Sequence, residues 1–172
     1  VLTIEDPQGP EALDAVRALC WDYLDVLRGL GGIDAEIVTQ AYPPEKYAAI
    51  MENLALEHAP PAGGIRLARL NGRPVGCGMF HTLAPGTAEI KRVYVAPAAR
   101  GTGAGRALME ELIATCRASG FERILMDTGR PLVAAQRLYD ALGFRRRGPY
   151  QEMPGWVRDN LIYFEMELAD DR

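Results

Sequence analysis

Between Glu89 and Gly105 the chain reads EIKRVYVAPAARGTGAG, and no other stretch limits the possible folds so tightly. Ala88 to Val95 has few polar breaks and is rich in β-branched and aromatic residues, which suit a half-buried strand. Ala96-Pro97 stops that strand. Gly101, Gly103 and Gly105 follow at every second position, and residues without a Cβ let the backbone take positive φ and let another molecule approach closely. The segment RALMEELIATCRASG then places Leu108, Leu112, Ile113 and Cys116 at helical spacing, with Gly120 suited to the left-handed position that ends a helix. A helix that starts here leaves its first N–H groups without partners and carries roughly half a positive charge at that end, which favours an anion such as phosphate. Arg100 and Arg106 add formal charge on either side. The blander use of the same glycines is a tight strand-to-helix turn.

Two common phosphate motifs are absent from this turn. A dinucleotide fingerprint G-x-G-x-x-G/A would need Gly or Ala where Arg106 or Leu108 stands, and a P-loop would need G-K-[ST] where the chain has Gly105-Arg106-Ala107. The run does match R-x-x-G-x-G through Arg100, Gly103 and Gly105, and here the chain resembles the GNAT superfamily of N-acetyltransferases. The resemblance extends upstream through AEIKRVYV and downstream into AAQRLYDALGF, where Ala135, Leu138, Tyr139, Leu142, Gly143 and Phe144 fit the family's A-x-x-L-Y-x-x-L-G-F helix. It covers residues 87–144, the expected cofactor core of a single domain over 1–172. It implies that main-chain amides across Arg100, Gly101, Thr102, Gly103, Ala104, Gly105 and Arg106 bind the pyrophosphate of acetyl-CoA, with no metal. Asn commonly stands seven residues before the tyrosine in that family; this chain has Leu132, so that contact passes to Thr128 or Arg130 or is lost.

Composition narrows the partners. A formal charge of −4 argues against a nucleic-acid surface, which needs a basic face, and suits a small neutral or cationic partner. No apolar run approaches the roughly 20 residues of a membrane span, and no basic-then-apolar leader opens the sequence, so a cytoplasmic location is expected. Cys20, Cys77 and Cys116 are few and far apart, without a C-x-x-C or a neighbouring His, and read as small buried hydrophobes.

The remaining elements follow from pattern. Residues 1–5 form a first strand, and Asp6-Pro7 with Gly9-Pro10 leads into a helix over 10–27 with Leu13, Val16, Cys20, Leu24 and Leu27 on one face. Residues 31–43 are expected as a loop packed by Ile37, Val38 and Tyr42, and 44–57 as a second helix. From Gly64, IRLARL, the turn NGRP and VGCGMFHTL read as a hairpin. Pro85-Gly86 turns that chain into the 87–95 strand and brings His81 opposite Glu89. ERILMDT is a strand parallel to 87–95, reached through the intervening helix. A helix over 131–142, a short strand near 144–146 and a closing strand over 161–168 complete the chain. The expected fold is a mixed, mostly antiparallel α/β sheet with helices on both faces and one splayed parallel strand pair. In the resembling family the pantetheine arm lies in that gap.

Acetyl transfer from a thioester to an amine needs a free amine, a donor for the oxyanion and a proton for the departing thiolate. An alkylammonium with a pKa near ~10.4 must first lose its proton. Glu89 is the first candidate base, by its place at the start of the central strand, with Lys91 and Val93 expected to point the same way. His81 is the second candidate, and the alternative use of Glu89 is a structural ion pair with His81, Lys91 or Arg92. Tyr139 occupies the position of the family's general acid, and a phenol keeps its proton at neutral pH. A backbone N–H of Val93 or Val95 is the expected oxyanion donor. Arg145, Arg146 and Arg147 either reach the coenzyme's 3′-phosphate or form a solvated charge run.

The resemblance implies an acetyl-CoA-dependent N-acetyltransferase acting on a small-molecule or peptide amine by direct attack in a ternary complex. A catalytically idle acyl-CoA sensor or scaffold module is the alternative. Asp22, Asp25, Asp34 and Glu36, on the segments expected to border the acceptor, hint at a cationic amine or are solvated helix residues. Trp156 and the apolar closing strand suit either a pocket or a homodimer contact.

Overall fold

Two turns build the centre of the molecule. In the computed structural model, which describes residues 1–168, Asn71 and Gly72 both have positive φ (52° and 84°), the geometry of a two-residue hairpin loop whose twist matches its flanking strands. They join β2 (Gly64–Leu70) to β3 (Arg73–Ala84), and a second turn carrying Gly86 at φ 76° joins β3 to β4 (Thr87–Val95). His81 lies opposite Glu89 in this meander, as the turn position requires. β1 (Leu2–Glu5) adds to the free edge of β2. On the other side β5 (Arg123–Gly129) runs parallel to β4, and β7 (Leu161–Glu167) and β6 (Arg145–Arg147) follow antiparallel, giving the order β1-β2-β3-β4-β5-β7-β6.

Helices cover both faces. α1 (Gly9–Arg28) buries Val16, Leu19, Cys20 and Leu24 against Leu67, Cys77, Met79 and Tyr94 of the sheet. α5 (Ala104–Ala118) and α6 (Val133–Ala141) lie on the opposite face, where Met109, Leu112 and Tyr139 meet Phe80, Ile90, Met126 and Phe164. Two helical expectations need correction. Residues 31–43 are not a loop: Gly31 and Gly32 break from α1 with positive φ, but the next residues form α2 (Gly32–Ala41), which buries Ile37 and Val38. Only that adjacent pair is buried along ten residues, too faint an apolar period to announce a helix. The single helix expected over 44–57 is two, α3 (Pro44–Glu52) and α4 (Leu54–Glu57), parted at Asn53, whose side-chain amide donates to the Ala49 carbonyl and competes with the helical ladder. A further short helix, α7 (Gly155–Arg158), precedes β7.

One irregularity in β4 shapes everything near the site. Met79 pairs with Lys91 but Cys77 pairs with Tyr94, so β4 holds one extra residue at this point, and Arg92 there has φ 55°. The bulge resets the alternation, and Val93 does not share a face with Glu89 and Lys91. It packs instead with Leu112 on the α5 side, while Tyr94 returns to the α1 side. β4 meets β5 only from Thr87 to Glu89, opposite Arg123 to Leu125. Beyond Glu89 the two strands separate.

Close packing beside the bulge depends on Gly76 of β3, because a Cβ there would lie 2.8 Å from the Tyr94 carbonyl oxygen and 3.2 Å from Leu108 Cδ1. Gly76→Ala is expected to cost about 1–3 kcal/mol by overpacking, read as a lowered urea midpoint with an unchanged slope. A wild-type midpoint would show that the bulge yields without strain.

Candidate active site

The glycine turn forms an open rim of donors. Gly101 and Gly103 take φ 81° and 87°, and a Cβ built on either meets nothing within 4 Å. Among the described residues the amides of Gly101, Gly103, Ala104, Gly105 and Arg106 donate to no backbone carbonyl, whereas those of Arg100, Thr102 and Ala107 do. The Thr102 hydroxyl is turned inward onto the Ala99 carbonyl, which braces the turn from below. Arg100 is exposed, and Arg106 pairs with Glu110 one helical turn on. A Cβ added at Gly105 would lie 3.5 Å from Leu138 of α6 and 3.7 Å from Val95 of β4, so the rim lies beside both elements that flank the strand gap. Donors without partners at a helix start, with no side chain in front of them, are what a diphosphate group requires.

On the α1 side of that gap lies a cavity of about 290 Å³ bounded by α1, α2, the separated half of β4, the end of β5 and residues 151–161. Tyr23, Leu24, Ile37, Val38 and Met153 supply apolar wall; Glu89, Lys91, Arg92, Asp127 and Thr128 supply its polar floor. Of the four acids singled out near the acceptor side, only Asp34 lines the cavity, and Asp22, Asp25 and Glu36 are exposed. Trp21 instead packs edge-on to Tyr47, and Tyr23 lies against Tyr94.

The floor is a hydrogen-bonded carboxylate pair. Glu89 is 3% exposed; its Oε1 lies 2.7 Å from His81 Nε2 and its Oε2 accepts from the Tyr150 hydroxyl at 2.6 Å. The same hydroxyl lies 3.4 Å from Asp127 Oδ2, and Lys91 Nζ is 4.0 Å from Glu89. Burial would raise Glu89, but the His81 and Tyr150 hydrogen bonds and the Lys91 charge outweigh it and hold this carboxyl below its ordinary range. Asp127 goes the other way: burial, reinforced by the negative charge of Glu89 and opposed by Lys91, pushes it up to about 6. Two neighbouring carboxyls driven apart in this manner divide into a permanent anion and a group that exchanges a proton near neutrality.

Tyr139 lies on α6 with 4% exposure, edge-on to Phe164 and Phe144. Burial raises its pKa well above the ordinary phenol value, with the Tyr23 and Asp127 charges adding, so it stays protonated. Its hydroxyl takes part in none of the hydrogen bonds found among the described residues. Val93 and Val95 lie on the length of β4 that has left β5, which frees main-chain groups on that edge. Thr128 is buried in the cavity floor. Leu132 caps the start of α6, and Arg130 is drawn away to the Asp159 carbonyl. The arginines of β6 are paired rather than free, and Arg145 and Arg146 remain solvent-exposed: Arg145 and Arg147 hold Glu165 at 3.0 and 2.6 Å, and Arg146 holds Asp140 at 2.9 Å. No cluster of three or more His, Cys, Asp or Glu placed to hold a metal occurs among the described residues.

Asp127 and Tyr150 escaped the sequence reading, and Arg92 entered it only as a candidate ion-pair partner of Glu89, a role taken instead by His81 and Lys91. Asp127 carried a usable signal, an acid directly after the apolar run Ile124-Leu125-Met126. Tyr150 carried none, since only the packing of the segment after β6 brings it to Glu89.

Comparison with known proteins agrees with this geometry. Residues 19–144 match the acetyltransferase (GNAT) family. An uncharacterised N-acetyltransferase of Schizosaccharomyces pombe is 31% identical over 162 residues, which covers 93% of this chain and 91% of that protein. An acetyltransferase of the GNAT family from Staphylococcus aureus Mu50 shares the fold with a TM-score of 0.74 at 17% identity, covering 98% of this chain and all of that one. The PaiA N-acetyltransferase of Thermoplasma acidophilum, solved in complex with coenzyme A, superposes with a TM-score of 0.68 at 15% identity over 97% of this chain and 99% of that one.

The raised pKa of Asp127 has a consequence for stability. Its folded value of about 6 exceeds its unfolded value near 3.8, so the native state binds more protons between them and stability falls as pH rises through that window. Asp127→Asn removes this loss. The variant is expected to gain on the wild type between pH 4 and pH 7 by on the order of 1–3 kcal/mol, read from urea unfolding at both pH values. An identical difference at the two pH values would show that Asp127 is not held out of its normal range.

Proposed function

Because the chain belongs to the acetyltransferase (GNAT) family and is an acyltransferase, we propose that it transfers an acetyl group from acetyl-CoA to a primary amine bound in the cavity between α1, α2 and the separated ends of β4 and β5. The observation that carries this reading is the convergence at one strand gap of the free amide rim, the buried phenol of Tyr139 and the divided carboxyl pair. The residues present fit the cosubstrate. The free amides of Gly101, Gly103, Ala104, Gly105 and Arg106 would hold the diphosphate, with Arg100 adding charge, and Val93, Val95 and Thr128 would flank the thioester arm between the strands. When bound, acetyl-CoA supplies a thioester carbonyl to the amine.

The protein groups then divide the proton work. Asp127, with a pKa of about 6, is ionised at neutral pH and still basic enough to take the proton of an arriving ammonium. Glu89 remains an anion held by His81 and Tyr150, and its charge keeps Asp127 basic. It contributes to the base as one member of a coupled pair, so the titration belongs to both carboxyls. A main-chain N–H of Val93 or Val95 faces the oxygen that gains charge, and Tyr139 delivers a proton to the departing sulfur. Atoms balance: the ammonium gives one proton to Asp127, which passes it to solvent before attack; a C–N bond forms and the C–S bond breaks; the acylated nitrogen gives a second proton to Asp127, and Tyr139 gives one to the sulfur and recovers it from solvent.

Tyr139→Phe is expected to lower kcat by about 10²–10⁴-fold in a thiol-release assay with acetyl-CoA and a panel of amines, while calorimetry still detects coenzyme A. The wild-type kcat/KM profile is expected to lose activity below an apparent pKa near 6, the value of Asp127, and Asp127→Asn to lose that limb together with most of its activity. A phenylalanine variant at wild-type speed would refute the acid role of Tyr139.

A further inference from the structure

Arg92 is the residue that the reading above leaves without work. It is the extra residue of the β4 bulge, at φ 55°, a left-handed conformation that is unfavourable for a residue bearing a Cβ. In an unbroken strand this position would turn toward α5 and its apolar layer. The bulge instead turns the side chain onto the α1 side, where it lines the same cavity as Lys91. Re-aiming a side chain is a known use of a bulge, and strain of this kind collects where function requires it.

The charge so placed is unspent. Lys91 is drawn to Glu89, and Arg66, Arg69, Arg123 and the β6 arginines all pair with carboxylates. Arg92 has no carboxylate oxygen within 4.0 Å among the described residues, although Asp34, Glu89 and Asp127 line the same cavity. Among the described residues its side chain donates from Nη1 to the Met79 thioether sulfur at 3.8 Å, a weak acceptor. A partly buried guanidinium among tyrosines and aliphatic side chains is costly unless something completes it.

We infer that Arg92 receives the carboxylate of the acceptor, and that the acceptor is a free α-amino acid with an apolar side chain. The inference rests on the acetyltransferase reading and names the substrate class of that site. The planar fork of a guanidinium matches a carboxylate with two parallel hydrogen bonds, which an ammonium such as Lys91 does not offer. Asp127 faces the cavity from β5 while Arg92 faces it from β4, so one cavity presents an anion for the α-amine and a cation for the α-carboxylate. Leu24, Leu27, Ile37, Val38 and Met153 offer an apolar wall for the side chain of such a molecule. A volume of about 290 Å³ lies at the small end of ligand cavities, which run roughly 300–1,000 Å³. A buried group aimed at one charge also rejects the analogue that lacks it, because it is then left unpaired.

The test uses matched acceptors with acetyl-CoA: L-leucine against 3-methylbutylamine and leucinamide, and L-phenylalanine against 2-phenylethylamine. The wild type is expected to favour each amino acid over its uncharged or decarboxylated match by at least about tenfold in kcat/KM, or about 1.4 kcal/mol. Arg92→Asn removes the guanidinium but tolerates the left-handed backbone, and in it that ratio is expected to fall to near unity, mainly through KM for the amino acid. Its melting temperature monitors folding, and the wild-type comparison stands by itself if the variant does not fold. Faster acetylation of the decarboxylated amines or of leucinamide by the wild type overturns this inference and leaves the acetyltransferase reading intact, as does an Arg92→Asn protein that keeps the wild-type ratio. Absence of both coenzyme A binding and thiol release with every acceptor overturns the two together.

Discussion

Everything that makes this molecule more than a helix-covered sheet depends on where β4 and β5 stop pairing. Parallel strands joined through a helix are normally held along their length, yet here the ladder ends after Glu89 and Leu125. Past that point the strands are committed to different tasks. β4 takes up its extra residue at Arg92 and runs on into the glycine turn, while β5 remains straight and paired with β7 along its whole length. The main-chain groups on the facing edge of β4 are thereby left without a strand partner. A gap with polar edges would be a defect in a protein that bound nothing, since unpaired main-chain groups away from water carry a penalty.

The same separation sets the electrostatics. Glu89 occupies the last paired position and Asp127 lies two residues beyond Leu125, so the two carboxyls flank the fork from either strand. Their burial would raise both. Only Glu89 receives enough donors, from His81 across the hairpin and from Tyr150, to stay a firm anion, and that anion in turn raises its neighbour. Tyr150 touches both acids and ties the segment after β6 to the fork. The buried residues around them form separate apolar clusters on the two faces, and Tyr139 belongs to the cluster opposite the cavity. The phenol and the carboxyl pair therefore approach the fork from opposite sides of the sheet, which suits a reaction whose donor and acceptor enter from different directions.

α2 shows why wall elements are hard to read. Ile37 and Val38 are buried, but they bury against α1 and the cavity rather than into a broad core, so the segment needs no apolar stripe. Asn53 is a related case. Its local bond to Ala49 divides one amphipathic stretch into two helices without altering which side chains, Tyr47, Met51 and Leu54, are buried. Such breaks change the direction of the chain and leave its hydrophobic pattern untouched.

Local chemistry was legible from the residues alone. Asn71-Gly72 and Gly86 set the meander and the His81–Glu89 pairing. The alternating glycines set a turn with open amides, and the helical spacing of α1 and α5 set which faces are buried. Each of these is dictated by backbone sterics or by apolar period over a few neighbouring residues, so no distant contact can easily reverse it. The tertiary structure alone decided the bulge at Arg92, the reversal of Val93, the arrival of Tyr150 and the opposite pKa shifts of Glu89 and Asp127. All four depend on which groups from remote parts of the chain share one small, poorly hydrated space, and at that distance neither register nor charge can be read from sequence order.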